Sequence, residues 1–269
     1  MEADTQKLSA LELAGSPLAP GLSPVRIRYR DCGRGAPLLF LHGGWGYEIY
    51  PFDRLIAALA ATHRIVVPDR SGYGGSSPIA SLGPDFHSAA ADETLAVIDA
   101  LGLDRPALWG HSDGAVIAAL IGLRAPDRVS RLVLEAMHLY PQKPASRGFF
   151  ASTAAHPDSV GDRVAKTLAH DHGEHWRQVV GRHSAAWLRL GEQRSAQSDF
   201  YGGRLRDLSL PTLFIHGARD PRTEPGELDA LCAQLARADR QVLPDGAHSP
   251  HSEHATSDVV SRLARAFFS

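Results

Sequence analysis

Two periods of apolar residues take turns along this chain. "VRIRYRD" (Val25 to Asp31) alternates apolar and polar with period two, the pattern of a half-exposed strand near a sheet edge. "PLLFLHGG" (Pro37 to Gly44) is a short, continuous apolar run ending in glycine, as expected of a strand buried on both faces. "RIVVPD" (Arg64 to Asp69), "PALWG" (Pro106 to Gly110), "RLVLEA" (Arg131 to Ala136), "PTLFIHG" (Pro211 to Gly217) and "RQVLP" (Arg240 to Pro244) supply further strands. Between them, apolar residues recur at helical spacing. Phe52, Leu55, Ile56 and Leu59 mark one face, and Leu95, Ile98 and Leu101 another. Val116, Ile117, Leu120 and Ile121 mark a third, stopped by Pro126. Leu228, Leu231, Cys232 and Leu235 form the next stripe, and Val259, Val260, Leu263 and Phe267 the last. This alternation predicts an α/β fold, a mostly parallel sheet flanked by helices.

One segment breaks the alternation. From His138 to Leu210 no strand pattern occurs, and Trp176, Val179, Val180 and Trp187 fall at helical spacings. A helical insertion between two strands of a parallel sheet is expected to act as a lid over the strand ends. The chain thus divides into a core of residues 1–138 and 211–269 and a helical cap of residues 139–210.

Composition narrows the function classes. Of 269 residues, 43% are hydrophobic and 22% charged, which is globular and suits one α/β domain carrying an insertion. The net charge is −2, without a basic stripe for nucleic acid or a polybasic run for a membrane surface. No apolar stretch is long enough to span a bilayer. The N-terminal "MEADTQKLSALELAG" begins acidic and lacks a basic n-region, so no signal peptide is expected. Cys32 and Cys232 form no C-x-x-C motif and read as reduced, structural thiols of a cytoplasmic protein, monomer or homodimer.

The chemistry centres on "LWGHSDGAV", where Gly110 to Gly114 fit G-x-S-x-G. The pattern alone is weak. Its context, a buried strand before and a helix after, makes it a nucleophile elbow. So sharp a turn strains the middle residue, Ser112, and needs small residues two positions away, supplied by Gly110 and Gly114. A serine nucleophile needs a base, and the base needs an orienting acid, in the chain order Ser, Asp or Glu, His. Asp220 follows one strand in "FIHGARDPRTE", and His248 follows the last in "LPDGAHSPHSEH". Glu135 stays open as a rival acid, and His251 and His254 as rival bases. Gly246 and Ala247 favour His248 by allowing a tight loop.

The oxyanion of acyl transfer needs preorganised N–H donors. The candidates are the backbone N–H of Asp113 and those of Gly44 and Trp45 in "HGGWG". The other reading of that loop, a phosphate-binding turn, lacks both G-x-G-x-x-G and the P-loop pattern. The triplets His248, His251, His254 and His170, His172, His175 lack the spacing of a closed zinc motif, so no metal is expected. The substrate pocket is expected among Trp45, Tyr47, Phe149, Phe150, Trp176 and Trp187, with at least one of the two last tryptophans in the cap's own core. His183 reads as a core or pocket histidine. The Asp113 side chain has two readings. It points to solvent or bonds nearby backbone, or it faces the pocket and pairs with a cationic group of the substrate.

"LFLHGGWG", "PDRSGYGGSS", "LWGHSDGAV", "LFIHGARDP" and "LPDGAHSPH" resemble, in order and spacing, the signposts of the α/β-hydrolase fold superfamily, over nearly the whole chain outside the cap. "GHSDG", "IHGARDP" and "LPDGAHSPH" are similar to the valacyclovir hydrolase (biphenyl hydrolase-like) group of serine esterases, and "HGG" resembles proline iminopeptidases. The resemblance implies an eight-stranded sheet, a helical cap between the sixth and seventh strands, and Ser112, Asp220 and His248 as a catalytic triad. It implies hydrolysis of a small-molecule ester without metal or organic cofactor. Ser112 argues against epoxide hydrolases and haloalkane dehalogenases, which place Asp at the elbow. Amide or aminopeptidase cleavage, lactone opening, carbon–carbon bond hydrolysis and perhydrolysis share the same triad, and a non-catalytic receptor shares the scaffold.

Overall fold

Every apolar run named above becomes a strand, and one further strand precedes them. The computed structural model describes residues 7–195 and 198–269; the first six residues of the acidic N-terminal stretch, and residues 196–197, lie outside the described residues. The strands are β1 (Lys7–Leu13), β2 (Val25–Gly33), β3 (Ala36–Leu41), β4 (His63–Pro68), β5 (Ala107–His111), β6 (Leu132–Glu135), β7 (Thr212–Gly217) and β8 (Asp239–Leu243). The helices are α1 (Asp53–Leu59), α2 (Phe86–Ala100), α3 (Asp113–Arg124), α4 (Arg147–Ala155), α5 (Asp162–His172), α6 (Trp176–Gln193), α7 (Glu227–Gln234) and α8 (Ser257–Phe268).

The strands form one sheet of eight in the order β1-β2-β4-β3-β5-β6-β7-β8. β2 runs antiparallel to β1 and β4, and the pairs from β4 to β8 are parallel. The unforeseen β1 has a physical reason. Its inward positions are Ser9, Leu11 and Leu13, while Leu8 points outward at 60% exposure. A polar residue inside and a leucine outside blur the period-two signal.

The continuous apolar runs follow from burial on both faces. Leu38, Phe40, Ile65, Val67, Trp109, Val133 and Ile215 pack with α1 and α8 on one side. Leu39, Leu41, Val66, Leu108, Leu132, Leu134 and Phe214 pack with α2, α3 and α7 on the other. Each such side chain stabilises by about 1.5–3 kcal/mol. With the strands parallel from β4 to β8, their carboxyl ends share one edge. That edge carries the loops with Gly43 to Trp45, Arg70, Ser112, His138, Asp220 and His248.

The segment between β6 and β7 is helical, as expected, and holds α4, α5 and α6. It is tied to the core by a buried ion pair, Lys143 Nζ to Glu227 at 2.6 and 2.5 Å. Glu227 also accepts the amides of Leu139 and Tyr140, at 2.8 and 3.1 Å. Among the described residues no helix is long and apolar enough to cross a membrane. The two cysteines are not joined in a disulfide.

Candidate active site

Ser112 caps α3 with φ 55° and ψ −119°, a conformation that costs a non-glycine residue about 1–3 kcal/mol. The turn is possible because two neighbours lack side chains. A Cβ on Gly110 would sit 2.1 Å from the Gly114 carbonyl oxygen, and one on Gly114 would sit 2.0 Å from that of Leu41. The Ser112 amide donates to the Glu135 carbonyl at 2.9 Å, fixing the elbow to β6.

The structure brings Ser112, His248 and Asp220 into one hydrogen-bonded chain. His248 Nδ1 lies 3.0 and 2.9 Å from the two Asp220 oxygens, and its Nε2 lies 3.0 Å from Ser112 Oγ. A carboxylate only accepts, so Nδ1 carries the proton and Nε2 is the acceptor for the serine hydroxyl. Burial alone would raise the Asp220 carboxyl. The His248 and His216 rings and the Arg222 amide outweigh it and hold the carboxyl well below the usual carboxylate range.

The loop bearing His248 is braced from both ends. Glu253 accepts the amides of Ala247 and Ser249, each at 2.7 Å. His111 donates from Nε2 to the His248 carbonyl at 2.8 Å. Burial and the neighbouring rings of His251 and His248 push the His111 imidazole down to about 3, so it stays neutral.

The rival acid and bases stand elsewhere. Glu135 is fully buried and accepts from Trp109 Nε1 at 2.8 Å and from the His251 ring at 2.9 Å. His251 thereby ties the loop after β8 to the end of β6, and His254 is exposed. In the other triplet, His172 donates to the Trp45 carbonyl at 2.8 Å and accepts the Gly74 amide at 2.9 Å. Its neighbour in that triplet, His170, is exposed, with 78% of its side chain accessible. Among the described residues no group of three or more His, Cys, Asp or Glu side chains could hold a metal ion.

The "HGGWG" loop runs against the serine: a Cβ on Gly43 would lie 3.1 Å from Ser112 Cβ. Arg70 holds this loop, its guanidinium donating to the carbonyls of His42 and, at 2.8 Å, Gly43. The His42 ring donates from Nδ1 to the Gly43 carbonyl and accepts the Arg70 amide on Nε2. Trp45 takes φ 73°, so the backbone reverses at the residue expected to supply a donor.

Above Ser112 lies a cavity of about 50 Å³, lined by Gly44, Trp45, Tyr50, His138, Phe149, Phe150, His183, Trp187, Arg222 and His248. A larger one of about 250 Å³ shares Phe150 and Trp187 with it, but Ser112 does not line it. Of the residues expected at the pocket, Trp45, Phe149, Phe150 and Trp187 line this cavity. Tyr47 and Trp176 do not. The Tyr47 hydroxyl donates to Asp53 at 2.6 Å, and its ring lies under the Arg30 guanidinium at 3.8 Å. Tyr50, three residues on, takes the place beside His248 instead, with ring centroids 5.8 Å apart. Trp176 packs with Leu168 and Val180 between α5 and α6, while His183 and Trp187 on the same helix face the cavity.

Asp113 corrects both expectations for its side chain. It is buried, neither in solvent nor open to a substrate. His87 Nε2 donates to one oxygen at 3.0 Å and His183 Nε2 to the other at 2.8 Å. Burial would raise this carboxyl, but the two histidines outweigh it and hold it well below the usual range. The carboxylate therefore links α2, α3 and α6. Asp113→Ala would leave two buried N–H groups without an acceptor, at about 1–3 kcal/mol each. Urea unfolding is expected to show about 3 kcal/mol lost, and a change within 0.5 kcal/mol would contradict the clamp.

Sequence reasoning missed His138 and Arg222. His138 Nε2 lies 3.3 Å from Ser112 Oγ, and its ring stacks on His248 with centroids 5.9 Å apart. The hydroxyl proton is engaged by His248, so His138 donates to Oγ. Burial, then the charges of Lys143 and His248, push the His138 imidazole well below its ordinary value. No motif marks it, because its position depends on where the chain leaves β6. The one legible signal was its place at the carboxyl end of a strand.

The 2-hydroxymuconate semialdehyde hydrolase of Pseudomonas sp. (strain CF600) is 28% identical over 247 residues, covering 86% of this chain and 87% of that protein. The pimeloyl-[acyl-carrier protein] methyl ester esterase of Nitrosomonas europaea is 27% identical over 251 residues, covering 83% and 93%. A thermophilic esterase from Thermogutta terrifontis superposes with a TM-score of 0.72 at 22% identity, over 97% of this chain and 98% of that one. The model of the alpha/beta hydrolase family matches residues 38–262, from β3 into the last helix. On that match, on the eight-stranded order and on the elbow after β5, this chain belongs to the alpha/beta hydrolase family.

Proposed function

We propose that this protein is a serine hydrolase of small carboxylic esters, working through an acyl-enzyme on Ser112. The observation that carries the reading is the chain from Ser112 Oγ through His248 to Asp220, at an elbow that opens on a cavity. In this reading His248 takes the hydroxyl proton as Oγ attacks the ester carbonyl. The oxyanion forms against the amides of Asp113 and of Gly44 or Trp45. His248 then protonates the leaving alkoxide, and a water that it deprotonates releases the acid. Asp220 stays ionised throughout and stabilises the imidazolium. Residues 139–210 act as the cap that closes the site. The likeness to valacyclovir hydrolases rests on the elbow, acid and base motifs; the methyl ester esterase among the relatives supports an ester as substrate.

His138 is a positioning residue in this scheme, holding the Ser112 oxygen by a second hydrogen bond beside the one to His248. His138→Ala is expected to lower kcat about tenfold, the value of one hydrogen bond of about 1.4 kcal/mol, with KM little changed. A kcat within twofold of wild type would remove His138 from the scheme.

The test of the function is a pre-steady-state assay with p-nitrophenyl acetate. A burst of one p-nitrophenol per site followed by slower turnover supports an acyl-enzyme. Absence of turnover across a panel of alkyl, aryl and amino-acid esters, with turnover of a lactone or of a carbon–carbon bond substrate, would replace the ester reading by another of the triad's reactions.

A further inference from the structure

We propose that the cavity above Ser112 accepts a substrate bearing a carboxylate, and that the Arg222 guanidinium holds it. The inference builds on the serine hydrolase reading for the bond that breaks, but the binding half stands independently of it.

Charge decides the matter. The Asp113 carboxylate is taken by His87 and His183, and the Asp220 carboxylate by His248 and by the Arg222 amide at 2.8 Å. Neither is left to receive a cation. Arg222 is the one cavity-lining side chain that is a permanent cation. Its guanidinium carbon stands 3.5 Å from the centroid of the Phe149 ring and 5.9 Å from that of Phe150. The main chain behind it is held at both polar groups, since its carbonyl accepts from Lys143 Nζ at 3.2 Å. Among the described residues its side chain makes no ion pair. Burial pulls the guanidinium below its ordinary value, with the charges of Tyr50 and Asp220 acting the other way.

A half-buried guanidinium resting on an aromatic ring, with its fork unspent, is a receptor for a planar carboxylate. Trp45 also lines the cavity, and its indole N–H is buried without a partner among the described residues. The cavity thus offers donors and apolar rings and no acidic side chain free to repel an anion. The ester carbonyl over Ser112 and the acid group at Arg222 belong to one substrate, such as the monoester of a short dicarboxylic acid.

The probe pair is monomethyl succinate and methyl 4-methylpentanoate, of similar shape, one with a carboxylate and one with an isopropyl group. The wild-type ratio of kcat/KM, acid over neutral, is expected to exceed about 10, the value of one hydrogen-bonded charge. Arg222→Met keeps an apolar stem on Phe149 and removes the charge, and is expected to lower that ratio at least about 10-fold. Arg222→Lys should keep part of it. A wild-type ratio near 1, or one unaffected by Arg222→Met, overturns the proposal while leaving the hydrolase reading intact.

Binding separates the two readings. Monomethyl succinate is titrated into Ser112→Ala by tryptophan fluorescence, with and without Arg222→Met. Weaker binding in the double variant supports the proposal even where no ester is turned over, an outcome that would remove the hydrolase reading alone. Equal binding in both overturns the proposal.

Discussion

Ser112→Ala is expected to reduce ester turnover by about 10⁵- to 10⁶-fold with little change in fold, because it removes the attacking atom itself. Residues that act as one unit do not share the loss. The oxyanion donors and the cavity would still bind substrate and stabilise a water-derived transition state, leaving a residual rate above that of the free solution reaction. The structural change should be small. Ser112 is held by its backbone, through its amide to Glu135 and its carbonyl to Ala115 and Val116, and alanine keeps those bonds. Relief of the positive φ is not available to it either, so any stability change should stay within about 1 kcal/mol. The measurement is kcat/KM on p-nitrophenyl acetate together with urea unfolding of the same sample. A loss of less than 100-fold would show that another group performs the attack.

Asp220→Asn carries the next largest effect, a fall in kcat of about 10⁴-fold. In the proposed mechanism Asp220 contributes in two ways. It fixes the His248 proton on Nδ1, which leaves Nε2 free to accept from Ser112, and its charge stabilises the imidazolium formed on attack. Asparagine supplies no charge, and when its amide donates to His248 the ring is held in the wrong tautomer. The carboxyl lies well below the usual range in the folded protein, so it remains ionised at any pH at which the protein is assayed. A depressed carboxyl contributes stability above its unfolded value and loses it as pH falls through the folded one, so this site gives no stability loss near neutrality. A fall in kcat below about 30-fold for Asp220→Asn, with KM unchanged, would mean that His248 is oriented by another group.

Much of this was legible in the chain because the chemistry sits where backbone geometry is demanding. The strand-to-helix turn at Ser112 cannot form without Gly110 and Gly114, so their spacing announces the elbow. Asp220 and His248 follow strands that the apolar runs mark, and parallel strands end on one edge. Side-chain direction was not legible. Tyr47 and Tyr50 both follow the "HGGWG" loop, and only the turn between them sends the first under Arg30 and the second beside His248. Trp176 and Trp187 share one helix and nearly one face of it, but eleven residues separate them by about 16 Å along the axis, so the first meets α5 and the second the cavity. Asp113 is clamped by His87 and His183, which come from helices 26 residues before and 70 residues after it, a contact no local pattern encodes. His138 and Arg222 belong to loops whose course depends on β6 and β7 being neighbours. Strand β1 was missed for the converse reason, an inward Ser9 and an outward Leu8 where alternation would have the opposite.

The central claim is that Ser112 is the nucleophile, activated by His248. It is tested most directly by treating the protein with a fluorophosphonate and mapping the adduct by peptide mass spectrometry, with turnover of p-nitrophenyl acetate followed in parallel. One phosphonyl group per chain on Ser112, accompanied by complete loss of turnover, and no labelling in His248→Ala on the same timescale, is the result predicted. Turnover that persists in fully labelled protein, or a label carried by any residue other than Ser112, would contradict it.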